Sequence, residues 1–169
     1  MLMLKMARRL TMACLLALGA PLAASAAPGL PEGLPRLPDL NERILSDDLT
    51  GLALAGYDAV AYHIAGQALA GDARYEAQWK DAVWRFTSEA NRQAFLADPE
   101  AFAPRYNGYD ATGVARKRPV QADPGLFAIV EGRLYLFRTA GDRLVFLDHK
   151  ELIRKADAGW PEVERQLVR

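Results

Sequence analysis

Sulfur is nearly missing from this chain of 169 residues: Met1, Met3, Met6, Met12 and Cys14 account for all of it. All five lie in an N-terminal segment whose composition marks it for removal, so the mature chain is expected to carry neither thiol nor thioether. That excludes a disulfide, a cysteine nucleophile, a thiolate zinc site and a copper site built from Cys or Met. An excess of either charge is missing too, since 21 basic residues meet 21 acidic ones. The first 26 residues hold three bases and no acid, so their loss leaves 18 basic against 21 acidic residues. Such a balance argues against nucleic acid or an anionic membrane as main partner. The single basic run, Arg116-Lys117-Arg118, reads as a solvated loop before Pro119. Serine is scarce: Ser46 and Ser88 are the only ones after the N-terminal segment, and neither stands in a G-x-S-x-G turn. H-E-x-x-H, G-x-G-x-x-G and P-loop patterns are absent, and no carboxylates form a recognisable acid/base pair. A non-enzymatic protein is expected.

What the N-terminus does contain is the pattern of a secretory signal. Lys5, Arg8 and Arg9 precede an apolar run from Leu10 to Leu22, and Ala24-Ser25-Ala26 supplies small residues for cleavage after Ala26. The apolar run is shorter than the ~20 residues that span a bilayer, and Pro21 interrupts it. Export to a bacterial periplasm or beyond is expected, with no transmembrane span left after cleavage. The division read from sequence is a signal peptide over 1–26, a leader over 27–50, a domain over 51–161 and a helical tail over 162–169. Four prolines and two glycines within 28–41 give the leader its linker character. The folded part starts near Ile44 or Gly51, and no internal repeat stands out.

The domain reads as a small α+β unit of short antiparallel hairpins and several short helices. Aromatic-rich stretches at 75–79 and 83–86 flank Lys80-Asp81 and predict a hairpin. Thr87 or Ser88 then caps a helix over 89–97, and Asp98-Pro99 opens another, with Phe102 and Tyr106 turned inward. A second hairpin, 126–130 with 133–137, turns at Glu131-Gly132. One helix is predicted from about Leu144 to Ala158, stopped by Gly159, with a short helical segment opening at Trp160-Pro161.

The run Gly56-Tyr57-Asp58-Ala59-Val60-Ala61-Tyr62 resembles the opening motif of the YHS-domain family, in particular its small exported members. The similarity continues through Trp84 to Arg92, Phe95, Asp98-Pro99-Glu100 and Ala103 to Tyr109. It takes in Gly113-Val114-Ala115, Leu134-Tyr135-Leu136 and Lys155 to Pro161, and so spans about residues 51 to 161. The resemblance implies a YHS/TRASH-like α+β domain related to metal-handling modules. In those modules three cysteines ligate the metal, at positions that here read Ala61, Thr87 and Asn91. Exported members keep a reactive cysteine or selenocysteine where this chain has Asp110. Soft-metal capture and thiol chemistry are therefore not inherited.

Two further readings stay open for the residues that remain. Asp58, His63 and Asp110 could converge in a hard N/O site for a divalent metal such as Zn, Cu(II) or Ni. Against that, Asp110 could simply cap the segment after it, and His63 could be a half-exposed histidine at a strand end. His149 beside Asp148 reads as an exposed pair on a helix. The function expected is an exported YHS-like binding module without its cysteine ligands. The alternative is a structural or protein-interaction domain of the bacterial envelope, docking an envelope protein partner with no metal or small ligand.

Overall fold

A computed structural model describes residues 44–167 apart from Asp48. The expected signal peptide and most of the leader lie outside the described residues. Ten helices and strands follow in order: α1 (Ala59–Ile64), β1 (Asp72–Trp79), β2 (Ala82–Phe86), α2 (Glu89–Ala97) and α3 (Pro99–Phe102), then α4 (Ala111–Ala115), β3 (Asp123–Val130), β4 (Arg133–Phe137), α5 (Ala140–Asp148) and α6 (Glu151–Leu167). Short 3-10 turns at Leu54–Gly56 and Arg105–Gly108 precede α1 and α4. The two sheets are separate antiparallel hairpins, so the fold is the small α+β domain expected. Among the described residues no helix is long and apolar enough to cross a membrane.

The element order repeats, which corrects the expectation of no internal repeat. Gly56-Tyr57-Asp58 and Gly108-Tyr109-Asp110 end the two 3-10 turns, and each aspartate caps the helix that follows. Tyr57 bridges Ala70 and Tyr109 bridges Gln121, both antiparallel. Each first strand carries an irregularity near its start, between Asp72 and Glu76 and between Asp123 and Phe127. Each hairpin turns on two residues of positive φ, Lys80-Asp81 and Glu131-Gly132, as the right-handed twist of paired strands requires. Ser88 and Thr139 then accept the backbone N–H three residues on, capping α2 and α5. Even the strained positions recur: Leu54-Ala55 and Tyr106-Asn107 are all left-handed, although none is glycine.

Packing divides along the same line. In the first half Phe95 of α2 meets the rings of Trp79, Trp84 and Phe86, with centroids 5.7, 4.8 and 5.1 Å away. Its counterpart Phe146 of α5 meets Tyr135 and Phe137 at 5.2 and 5.3 Å. β4 joins the two cores because both its faces are buried. Leu134 and Leu136 enter the first cluster, while Tyr135 and Phe137 enter the second, as the two-residue period of a strand dictates.

At the N-terminal side the earlier of the two expected starts, Ile44, is already part of the core, whereas the C-terminal helix boundaries differ from expectation. Ile44 is buried in the first core, and the Leu45 N–H donates to the Asn107 carbonyl at 2.8 Å. The single helix predicted from Leu144 to Ala158 is two, broken after Asp148, where His149 leaves helical geometry at φ −117° and ψ 78°. Gly159 does not stop the second, because α6 runs through Gly159 and Pro161 to Leu167. There the missing side chain lets α6 lie on α4: a Cβ on Gly159 would sit 2.9 Å from the Val114 carbonyl oxygen. Gly141 in the first turn of α5 has no such neighbour, its nearest contact being Thr139 Oγ1 at 3.7 Å. Urea unfolding is expected to separate the two. Gly141→Ala raises stability by up to ~1 kcal/mol through helix propensity, whereas Gly159→Ala lowers it by about 1–3 kcal/mol through overpacking.

Candidate functional site

The three residues singled out for a metal do not form one group. Among the described residues no three His, Cys, Asp or Glu side chains gather as a metal site would require. Each is placed by its own local structure. Asp58 is fully buried, and its Oδ1 accepts the backbone N–H groups of Val60 and Ala61 at 2.8 and 3.2 Å. Its Oδ2 accepts from the Thr87 N–H at 2.8 Å, the Thr87 hydroxyl at 2.7 Å and the Asn91 amide at 2.7 Å. Ala61, Thr87 and Asn91, where the resemblance puts cysteines, thus surround one carboxylate. A ring of N–H and O–H donors satisfies an anion and repels a cation, so this cluster ties α1 to α2 and leaves no lone pair for a metal.

Asp110 does the same work in the second half. It is 1 % exposed, caps α4 through the Gly113 N–H and accepts the Arg138 N–H from the end of β4. Burial pushes its carboxyl above the ordinary aspartate range, and these two backbone donors only partly offset that. As the repeat partner of Asp58, Asp110 is a cap and not a substitute for a thiolate. The repeated Gly-Tyr-Asp was the sequence signal for this.

His63 ends α1, remote in role from both carboxylates. Its ring stands edge-on to Phe102, with centroids 5.4 Å apart and planes at 88°. Nε2 is buried without a hydrogen-bond partner, and burial lowers the imidazole pKa despite a backbone contact from Phe102. It is therefore neutral at pH 7, packed as an aromatic. His149 is exposed and faces Glu151 at 3.2 Å, not Asp148.

A polar cleft of about 230 Å³ lies elsewhere, lined by Lys80, Glu100, Arg105, Asn107, Trp160 and Glu164. The β1–β2 turn supplies Lys80, the second 3-10 turn supplies Arg105 and Asn107, and α6 supplies Trp160 and Glu164. Lys80 Nζ pairs with Glu100 at 2.6 Å and lies 4.2 Å from the centre of the Trp79 ring. One Arg105 terminal nitrogen meets Asp157 at 2.8 Å, and Asp157 also accepts the Tyr106 hydroxyl at 2.9 Å. Arg105 Nε is buried with no acceptor. The Tyr106 and Trp160 rings approach to 5.7 Å and form the aromatic side of the cleft. A second, smaller cleft of about 80 Å³ opens between Ser46, Leu54, Gln121 and Pro124 and is mostly apolar. Sequence reasoning missed the larger cleft because its residues come from three distant segments and carry no motif.

Compared with known protein families, with characterised proteins and with solved structures, the chain matches none.

The buried groups give predictions with opposite signs. The folded chain holds the His63 pKa below the unfolded value of about 6.5, so the unfolded chain binds the proton better. Stability should fall as pH drops through that window, and His63→Leu should flatten the step in urea melts run from pH 7.5 to 5. Asp110 is raised, so its contribution is present below the unfolded value of about 3.8 and is lost as pH rises through the folded one. Asp58→Ala strands several buried donors and is expected to cost about 3 kcal/mol or more in the same melts.

Proposed function

We propose that this chain is an exported, non-enzymatic binding module of the YHS-like kind that has lost soft-metal chemistry and takes its ligand in the Arg105–Trp160 cleft. One contrast carries the reading. Asp58 is saturated with donors and Asp110 is engaged in capping α4 and holding the end of β4, while the cleft gathers Lys80 and Arg105, each with N–H donors left over after one ion pair. A binding site needs the second condition, because only donors and acceptors not already used internally gain from a ligand. The resemblance to the YHS family supports the module reading through the cluster of Ala61, Thr87 and Asn91 around Asp58. In relatives of that kind those positions would hold sulfur around a metal. Here they hold donors around a carboxylate.

Export follows from the N-terminal pattern. The periplasmic form is expected to begin at Ala27, as intact mass would record.

Metal titration is the sharpest test of the altered chemistry. Zn, Cu(II) or Ni at stoichiometric levels should leave Tm unchanged, in the wild type and in His63→Ala alike. Stoichiometric binding that disappears in His63→Ala would overturn this and restore the N/O metal site. Capture of a stable envelope partner, with the cleft inert to every small molecule tried, would favour the structural reading instead.

A further inference from the structure

The chemistry of the cleft narrows its ligand, and the argument rests on the reading of the chain as a binding module. Two cations face it, and both have donors to spare. Lys80 spends one of three on Glu100, and Arg105 meets Asp157 through one terminal nitrogen, which leaves other terminal N–H groups of its fork to spare. Glu164, half-buried on α6, takes part in no ion pair among the described residues. Asn107 adds an amide that donates and accepts, held in place by a left-handed backbone at φ 55°. Trp160 adds a half-buried indole face with an N–H at its edge.

Charge then decides between ligand classes. A simple anion drawn to Lys80 and Arg105 would also face Glu164 and Glu100. A simple cation drawn to Glu164 would face the two bases. A molecule with both charges a few bonds apart satisfies both sets at once. Size and shape add a flat apolar body: a cavity of ~150 Å³ holds benzene, and this cleft offers about 230 Å³ beside the Trp160 ring. The other half of the repeat has no equivalent, since the turn residue matching Lys80 is Glu131.

We propose that the cleft binds a free α-amino acid with a flat, apolar side chain. Its carboxylate lies toward Arg105 and Lys80, its ammonium toward Glu164, and its side chain against Trp160.

The test uses the exported chain and L-phenylalanine, followed by the indole N–H resonance of Trp160 and by calorimetry. Phenylalanine should shift the Trp160 signal saturably while leaving the buried Trp84 signal unmoved. Phenylalanine amide lacks the carboxylate and N-acetylphenylalanine lacks the ammonium, and each should bind at least tenfold more weakly. Glu164→Gln, a change at an unpaired and partly exposed side chain, should weaken phenylalanine at least tenfold and leave N-acetylphenylalanine unchanged. Equal binding of phenylalanine and N-acetylphenylalanine, or no effect of Glu164→Gln, would overturn the assignment. Acetate and methylammonium are run alongside. If either moves Trp160 and phenylalanine does not, the amino-acid assignment fails and the binding-module reading stands. If no probe moves it, both fail.

Discussion

Burial of β4 on both faces is the constraint that makes one domain out of two half-units. A two-stranded hairpin is at best marginally stable alone, and each half contains one such hairpin with short helices around it. β2 buries only one face, through Ala82, Trp84 and Phe86. β4 sends Leu134 and Leu136 into one core and Tyr135 and Phe137 into the other. Each half therefore completes its apolar cluster with residues of the same strand. Tyr62 of α1 strengthens the junction, its hydroxyl donating to the Pro124 carbonyl at 2.9 Å and its ring meeting Phe127 at 4.8 Å. A chain with a single cysteine has no internal disulfide to fall back on, and this shared strand takes that part.

The second organising element is the pair of buried aspartates. A carboxylate away from water is stable only when donors replace its hydration. Asp58 meets that demand fully and Asp110 in part, each by capping a helix and by reaching the start of the helix or strand end across the hairpin. Among the described residues neither belongs to a group of three or more side chains of the kind that holds a metal. What looked like two members of one site is one structural device used twice, and His63 packs against Phe102 as a third, unrelated feature. The cations with spare donors, Lys80 and Arg105, have no counterpart of that device and line the cleft beside α6.

Much of the local structure was legible in the sequence. Lys80-Asp81 and Glu131-Gly132 announced the hairpins, and Ser88 and Asp98 announced the caps of α2 and α3, because turn and cap preferences act within a few residues. The repeat was legible in principle, through Gly-Tyr-Asp and through the Phe95 and Phe146 helices. It was hidden by divergence at nearly every exposed position between them. The continuity of α6 was not legible: Gly159 and Pro161 read as a stop, and the helix persists because its Gly159 face lies against the Val114 carbonyl.

The confinement of all sulfur to the first 14 residues was decided by sequence alone. So were the charge balance and the hairpin-and-helix grammar of the domain, since composition and short-range preferences need no tertiary context. Only the tertiary structure decided what Asp58, His63 and Asp110 do, because the fate of a buried carboxylate depends on which donors reach it from distant segments. It also brought Lys80, Arg105, Asn107, Trp160 and Glu164 to one cleft. Those residues are scattered along the chain, and packing of α6 on α4 and on the second 3-10 turn helps to collect them.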